Sequence, residues 1–171
     1  MIYLTGKQAF YVTCEEDSVG EWMMSKELFA ELELKESSET LMGDALIEKD
    51  KIIPYHADDD LYNVATHTRA YLDMLFDERY DELKGVFMDS IQSKKCRGEI
   101  FKYAYHYGIG LERFQQIHIF MTSEFGNAWH SYCQNMLSLR NHIEASHKRK
   151  DGVVKKKSKH GPVNTTLSIV K

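Results

Sequence analysis

Arg140, Asn141 and His147 are the residues of this chain whose types and spacing could do chemistry. They lie in the stretch Asn127 to His147, NAWHSYCQNMLSLRNHIEASH, which has the chain's longest clean helical periodicity. Trp129, Cys133, Met136, Arg140, Ile143 and His147 recur at alternating steps of four and three, the stripe that a 3.6-residue helix turns toward one partner. Arg140 and His147 sit at the end of that stripe, about 20° apart around the helix. A plain apolar core does not explain them. A permanent cation beside a titratable imidazole suits charge stabilisation and proton transfer.

The run SLRNHIEASH resembles the signature of the HEPN superfamily of small helical-bundle ribonucleases and nucleotide-binding proteins. Arg140 takes the place of the family's Arg, Asn141 that of the polar residue after it, and His147 that of the motif His, six residues intervening. His142 is too close to Arg140 for that place, and Glu144 resembles an acidic residue seen near the His in some branches. The resemblance implies metal-independent RNA cleavage in a groove between two protomers, in toxin or antiphage defence settings. It implies that His147 is the acid or base, Arg140 the phosphate clamp and Asn141 an orienting hydrogen-bonder. Such work needs activation of a 2′-hydroxyl, protonation of a departing oxygen and neutralisation of charge at phosphorus. The same residues also admit a structural role. Arg140 and Glu144 are spaced as a helix-surface ion pair worth ~0.3 to 0.5 kcal/mol, and His147 can face the negative end of a helix dipole.

A second constellation is a basic tail, in which Lys148, Arg149, Lys150, Lys155, Lys156, Lys157 and Lys159 could neutralise phosphates. The tail lacks aromatic residues among its lysines, so it offers no platform on which bases stack. Metal binding has weaker grounds. Glu144 and His147 have a di-iron spacing without the second copy such sites need, and His56 or His67 could join a metal site only by tertiary accident. Asp73, Asp77 and Asp81 recur every four residues and read as a solvated ridge. There is no glycine-rich phosphate loop, G-x-S-x-G, H-E-x-x-H or paired-cysteine motif, so no cofactor and no metal are expected. Tyr103, Tyr105 and Tyr107 beside Phe101 surround one helix with aromatics, one face for the core and another for an interface.

The elements that must position these groups are mostly helices. With only two prolines and few β-branched runs in its middle, the 171-residue chain is expected to be mainly α. Its expected form is an antiparallel helical bundle with a small N-terminal α+β appendage. Residues 1 to 57 form the appendage, opening with a β-hairpin of Ile2 to Leu4 and Ala9 to Thr13; residues 58 to 147 form the bundle; residues 148 to 171 form the tail. Ser25 looks like the cap of a helix reaching Leu34, and Lys51 to Tyr55 like a short strand. The run Asp58 to Asp60 can cap a first bundle helix carrying Leu61, Val64, Thr68, Tyr71, Leu72 and Leu75. Further helices are expected over Glu78 to Ile91, burying Tyr80, Leu83, Phe87 and Ile91, over Cys96 to Tyr107, with Ile100, Tyr103, Ala104 and Tyr107 inward, over Leu111 to Ser123 and over the opening stretch. Residues 148 to 161 are too polar to bury and are expected to lack structure, and Thr165 to Val170 alternate as a terminal strand does.

Three scattered cysteines suit a reducing cytosol, and no signal peptide or membrane span is expected. Residues 148 to 171 hold eight Lys/Arg and one Asp, net +7, and residues 1 to 147 hold fourteen Lys/Arg and twenty-five Asp/Glu, net −11. An acidic body carrying a basic tail leaves a second class open: a non-enzymatic interaction protein of phage or mobile-element type, its body binding a protein partner and its tail tethering it to nucleic acid. Partners to expect are thus RNA or another nucleic acid, a protein, or a second copy of the chain.

Overall fold

The computed structural model describes residues 1–15, 25–57, 60–86, 91 and 93–157, the last stretch by backbone alone from 144 onward. The described chain is mainly helical with a small mixed sheet, and it divides into two compact units, Met1–His130 and Ser131–Lys171. In order come β1 (Ile2–Leu4), α1 (Gly6–Ala9), a 3-10 turn (Lys26–Phe29), β2 (Leu34–Glu36), a second 3-10 turn (Ser37–Glu39), β3 (Ile47–Lys51) and β4 (Tyr62–Ala65). The helices α2 (His67–Phe76), α3 (Tyr80–Leu83), α4 (Lys94–Gly108), α5 (Phe114–Phe125) and α6 (Asn127–Lys157) follow.

The sheet has the order β2-β1-β4-β3. β1 runs antiparallel to β2, with Tyr3 opposite Lys35, and parallel to β4, with Leu4 opposite Val64. β3 pairs antiparallel with β4 through a bulge between Glu48 and Lys51. The expected N-terminal hairpin is therefore absent. Gly6, at φ +64°, turns the chain from β1 into α1, and a side chain there would collide with the Glu33 carboxylate. Residues beyond α1 form turns, with Tyr11 and Val12 N–H groups bonded to the Gln8 and Ala9 carbonyls. Phe10, Val12 and Cys14 alternate because they are buried from a turn, not because they pair as a strand.

The first bundle helix also begins later than its pattern suggested. Residues 62–65 are strand β4, Leu61 is exposed, and Thr66 caps α2 by accepting a hydrogen bond from the Arg69 N–H at 3.2 Å. Spacings of three and four continued backward from α2 into a strand whose inner residues, Val64 and Ala65, are equally apolar. Of the helix expected over Glu78 to Ile91, residues 80–83 are helical as α3, the chain turns at Lys84 and Gly85, Val86 is helical again, and residues 87–90 lie outside the described residues. Residues 26–29 form a 3-10 turn where a longer helix was expected, and the strand expected at Lys51 to Tyr55 lies earlier, at β3. The expected caps Asp58 and Asp59, the inward Phe87 and the terminal strand at Thr165 to Val170 lie outside the described residues. Residues 148–157 continue α6 as helix where no structure was expected. Lysine and arginine are good helix formers, and extending an existing helix costs less than starting one.

Helix α2 is buried along its whole length and packs against β4, α1, α3 and α4. Within it Arg69 is completely buried. Its Nε donates to Asp73 Oδ1 at 2.8 Å, Nη1 to the Gly43 and Ala45 carbonyls at 2.8 and 2.6 Å, and Nη2 to Tyr3 Oη and Thr40 Oγ1 at 2.8 and 2.7 Å. All five guanidinium N–H donors are thus engaged. Asp73 Oδ2 accepts from Tyr3 Oη at 2.6 Å and Thr5 Oγ1 at 2.8 Å. Asp73 was expected on a solvated ridge. It is instead the core counter-ion, while Asp77, beyond the end of α2, pairs with Lys35 at the surface.

Two predictions follow from this core. Replacing Arg69 with Ala leaves Asp73 buried without its counter-ion and should cost about 3–5 kcal/mol in urea denaturation. Arg69→Lys, with three donors in place of five, should recover only part of that loss. Burial raises the Tyr3 and Tyr71 hydroxyls above the ordinary tyrosine value, with the Asp73 hydrogen bond and the Glu124 charge adding to the two shifts respectively. A group whose folded pKa is raised holds its stabilisation below the unfolded value and loses it as pH rises toward the folded one. Stability should therefore fall above about pH 10, the unfolded tyrosine value, and ultraviolet titration should show these two phenols ionising only with unfolding.

Candidate nucleic-acid interface

Helix α6 carries every residue the sequence singled out for chemistry except Lys159, which lies outside the described residues. Its entry is fixed by Gly126, whose φ of +55° closes α5 and whose N–H reaches the Thr122 carbonyl at 2.8 Å. Three residues on, Trp129 is fully buried, packs edge-to-face on Phe101 at 5.4 Å and donates from Nε1 to His118 Nδ1 at 3.0 Å. That bond makes Nδ1 the acceptor, so the proton of the neutral imidazole sits on Nε2. The large apolar ring thus holds the first turn of α6, and its polar edge still finds a partner.

Burial then fades along the predicted stripe. Trp129 and Cys133 are buried, Met136 is half-buried, and Arg140, Asn141, His142 and Ile143 are exposed. Leu137 and Leu139 are exposed as well. Arg140 and Asn141 therefore stand where a ligand can reach them. The backbone continues as unbroken helix through His147 and on through Lys148, Arg149, Lys150, Lys155, Lys156 and Lys157. Seven residues of helix place His147 about 10.5 Å beyond Arg140 along the axis and within about 20° of it around the axis. Burial pushes the Cys133 thiol up to about 11, which rules it out as a ready nucleophile at neutral pH.

No known family, curated protein or solved structure is detectably similar to this chain. Its site has to be read from its own chemistry.

The other places the sequence raised are structural in character. His67, fully buried, donates from Nε2 to the Val12 carbonyl at 3.0 Å, and His56 lies 3.3 Å from the Phe29 carbonyl and 3.4 Å from Tyr62 Oη. Both tie loops to the core. Among the described residues no group of three or more His, Cys, Asp or Glu is placed to hold a metal ion. Among them, too, no helix is long and apolar enough to cross a membrane.

A cleft of about 430 Å³ opens beside the Arg69 network, bordered by Lys35, Glu36, Glu39, Thr40, Asp73, Phe76, Asp77 and Arg113 among others. Its four carboxylates outnumber its two cations. Lys35 is paired with Asp77, and Arg113 with Glu78 at 3.0 Å. With both of its cations already engaged by carboxylates, the cleft offers a phosphate less than α6 does, which leaves α6 as the better candidate. Nothing in the spacing of the sequence marks the cleft, because its lining is drawn from β2, the loop after it, the end of α2 and the turn before α5.

The anchor can be tested apart from function. Trp129→Ala should lower stability by about 3–5 kcal/mol. Trp129→Phe keeps the contact with Phe101 but loses the bond to His118, and should cost about 1 kcal/mol. Thermal melts followed by near-ultraviolet circular dichroism separate the two.

Proposed function

We propose that the protein binds RNA through α6 and cleaves it as a HEPN-like, metal-independent endoribonuclease of a toxin or defence type. In this reading α2, α4 and α5 belong to an antiparallel bundle, the working form is a homodimer, and the setting is the cytoplasm, in keeping with three cysteines scattered far apart along the sequence. The observation that carries it is the exposure of Arg140 and Asn141 on a helix whose backbone runs on without a break through the basic residues to Lys157. Arg140 neutralises charge at phosphorus, His147 moves the proton between the 2′-hydroxyl and the leaving oxygen, and Asn141 orients the substrate. The lysines hold the strand by its phosphates.

The charge distribution supports this reading more finely than an acidic body with a basic tail. Residues 1–92 hold eight Lys/Arg and twenty-one Asp/Glu, net −13, whereas residues 93–171 hold fourteen Lys/Arg and five Asp/Glu, net +9. The acidic charge therefore belongs to the sheet and α2–α3 portion of the sequence. The stretch that contains α4, α5 and α6 is cationic.

A second reading has its own observation. Leu137, Leu139 and Ile143 are exposed around Arg140, which suits a protein partner, and the −13 segment suits a basic one. Under it the chain is a non-enzymatic adaptor or inhibitor of phage or mobile-element type.

The test is cleavage of end-labelled RNA in excess EDTA by the wild type, Arg140→Ala and His147→Ala. His147→Ala should lose about a hundredfold or more in rate, as expected for removal of a general acid–base, and Arg140→Ala a similar factor through lost charge stabilisation, while RNA retention falls only modestly. Cleavage unchanged in either variant removes the nuclease reading. Capture of one protein partner by salt-sensitive pull-down, indifferent to Arg140→Ala, would favour the adaptor.

A further inference from the structure

Helix α4 holds a combination that α6 lacks. Its sequence, KKCRGEIFKYAYHYG, carries Lys94, Lys95, Arg97 and Lys102 against one acid, Glu99. Its buried side is Cys96, Ile100, Phe101, Ala104, Tyr105 and Gly108. On the opposite side Lys95, Lys102 and His106 are all exposed. Their positions fall within about 40° of one another around the helix and span about 16 Å along it. Beside this column, half-buried, Tyr103 and Tyr107 stack with ring centroids 6.1 Å apart and planes 18° from parallel. Lys102 Nζ lies over the Tyr103 ring at 4.8 Å, and His106 meets Tyr107 edge-on at 4.9 Å. Glu99, half-buried, lies four residues from Lys95 and three from Lys102 on the same side of the helix, and the four cations of α4 outnumber it.

The inward face of α4 also differs from its expected one. Tyr103 and Tyr107 were expected to point into the core, yet Phe101 and Tyr105 take that role. The core has enough aromatic volume without Tyr103 and Tyr107, and their place beside three cationic or titratable side chains is left to be explained.

We infer that this face of α4 is a contact site for single-stranded nucleic acid, with Tyr103 and Tyr107 stacking bases while Lys95, Lys102 and His106 follow the phosphates. Aromatic rings interleaved with cations bind unpaired strands of any sequence, because every base has a π-face and every nucleotide a phosphate. A duplex keeps its bases stacked on one another and can use only the cations. When Lys102 leaves the Tyr103 ring for a phosphate, it vacates a ring face for a base. The inference rests on the RNA-binding reading and sharpens it. The basic run after His147 supplies charge without rings, α4 supplies rings with charge, and the preferred ligand is an unpaired strand.

The experiment uses the full chain and two fluorescent probes, a 20-nucleotide oligouridylate and a blunt 20-base-pair RNA duplex, both 2′-O-methylated so that neither can be cleaved, with binding read by anisotropy at fixed salt. The wild type should bind the single strand more tightly. Tyr103→Leu with Tyr107→Leu keeps apolar volume but removes the rings, and should weaken single-strand binding by about tenfold or more with duplex binding unchanged. Lys95→Glu with Lys102→Glu, both at exposed positions, should weaken both probes and steepen neither salt slope. Ultraviolet crosslinking to oligouridylate, mapped by mass spectrometry, should mark the peptide containing Tyr103 or Tyr107 and gives a readout that does not depend on variants folding. Equal binding of the double-leucine variant and the wild type to the single strand, or crosslinks confined to other peptides, would overturn the inference. If that result comes with binding lost on truncation after residue 147, RNA binding stands and the α4 site alone falls. If the wild type binds neither probe, both readings fall together.

Discussion

A guanidinium cannot leave water without replacing every hydrogen bond it loses, and the Met1–His130 unit is arranged around meeting that demand for Arg69. Its five donors reach a carboxylate one helical turn away, a phenol on β1, a threonine after the second 3-10 turn and two carbonyls in the loop that leads to β3. The carboxylate in turn accepts from Tyr3 and Thr5. Removing two charges from water costs several kcal/mol per ion after relaxation, so the network works as a specifier of geometry more than as a source of net stability. It tells β1, the loop before β3 and α2 where to meet.

Helices with strong periodic burial were legible in the sequence, and elements whose identity depends on distant partners were not. The spacing in α4 and α5 gave their existence and ends to within a few residues, although it assigned Tyr103 and Tyr107 inward and the structure places Phe101 and Tyr105 there. β4 was hidden because Val64 and Ala65 satisfy a helical spacing carried backward from α2. The hairpin was a false reading of Phe10, Val12 and Cys14, for burial from a turn alternates as well as burial from a strand. Asp73 looked like part of a charged ridge, and only the fold reveals Arg69 four residues before it pointing to the same interior. Arg140 and Asn141 stood out in the sequence by type and spacing, and the structure shows both exposed.

The separation of charge along the chain changes how an acidic protein can approach an acidic polymer. A uniform surface of net −4 would give RNA no preferred orientation. With −13 in the first 92 residues and +9 in the rest, the two stretches of the sequence would meet a polyanion on opposite terms. Under the RNA-binding reading, salt would act on the approach as well as on the bound state.

The partners of Arg69 lie 4, 24, 26, 29 and 66 residues away in sequence. Only the first is available when α2 forms, and the others require loops to close, the longest of them bringing β1 back to the helix. Closing long loops is slow compared with forming a helical turn. A guanidinium buried in this way depends on contacts that only the completed fold supplies. A fluctuation that lifts β1 away strips Arg69 and Asp73 of Tyr3 and Thr5 at once and lets water back to a charged pair at the centre. Opening the sheet at β1 therefore carries the cost of uncoupling a buried charge pair as well as that of exposing apolar surface.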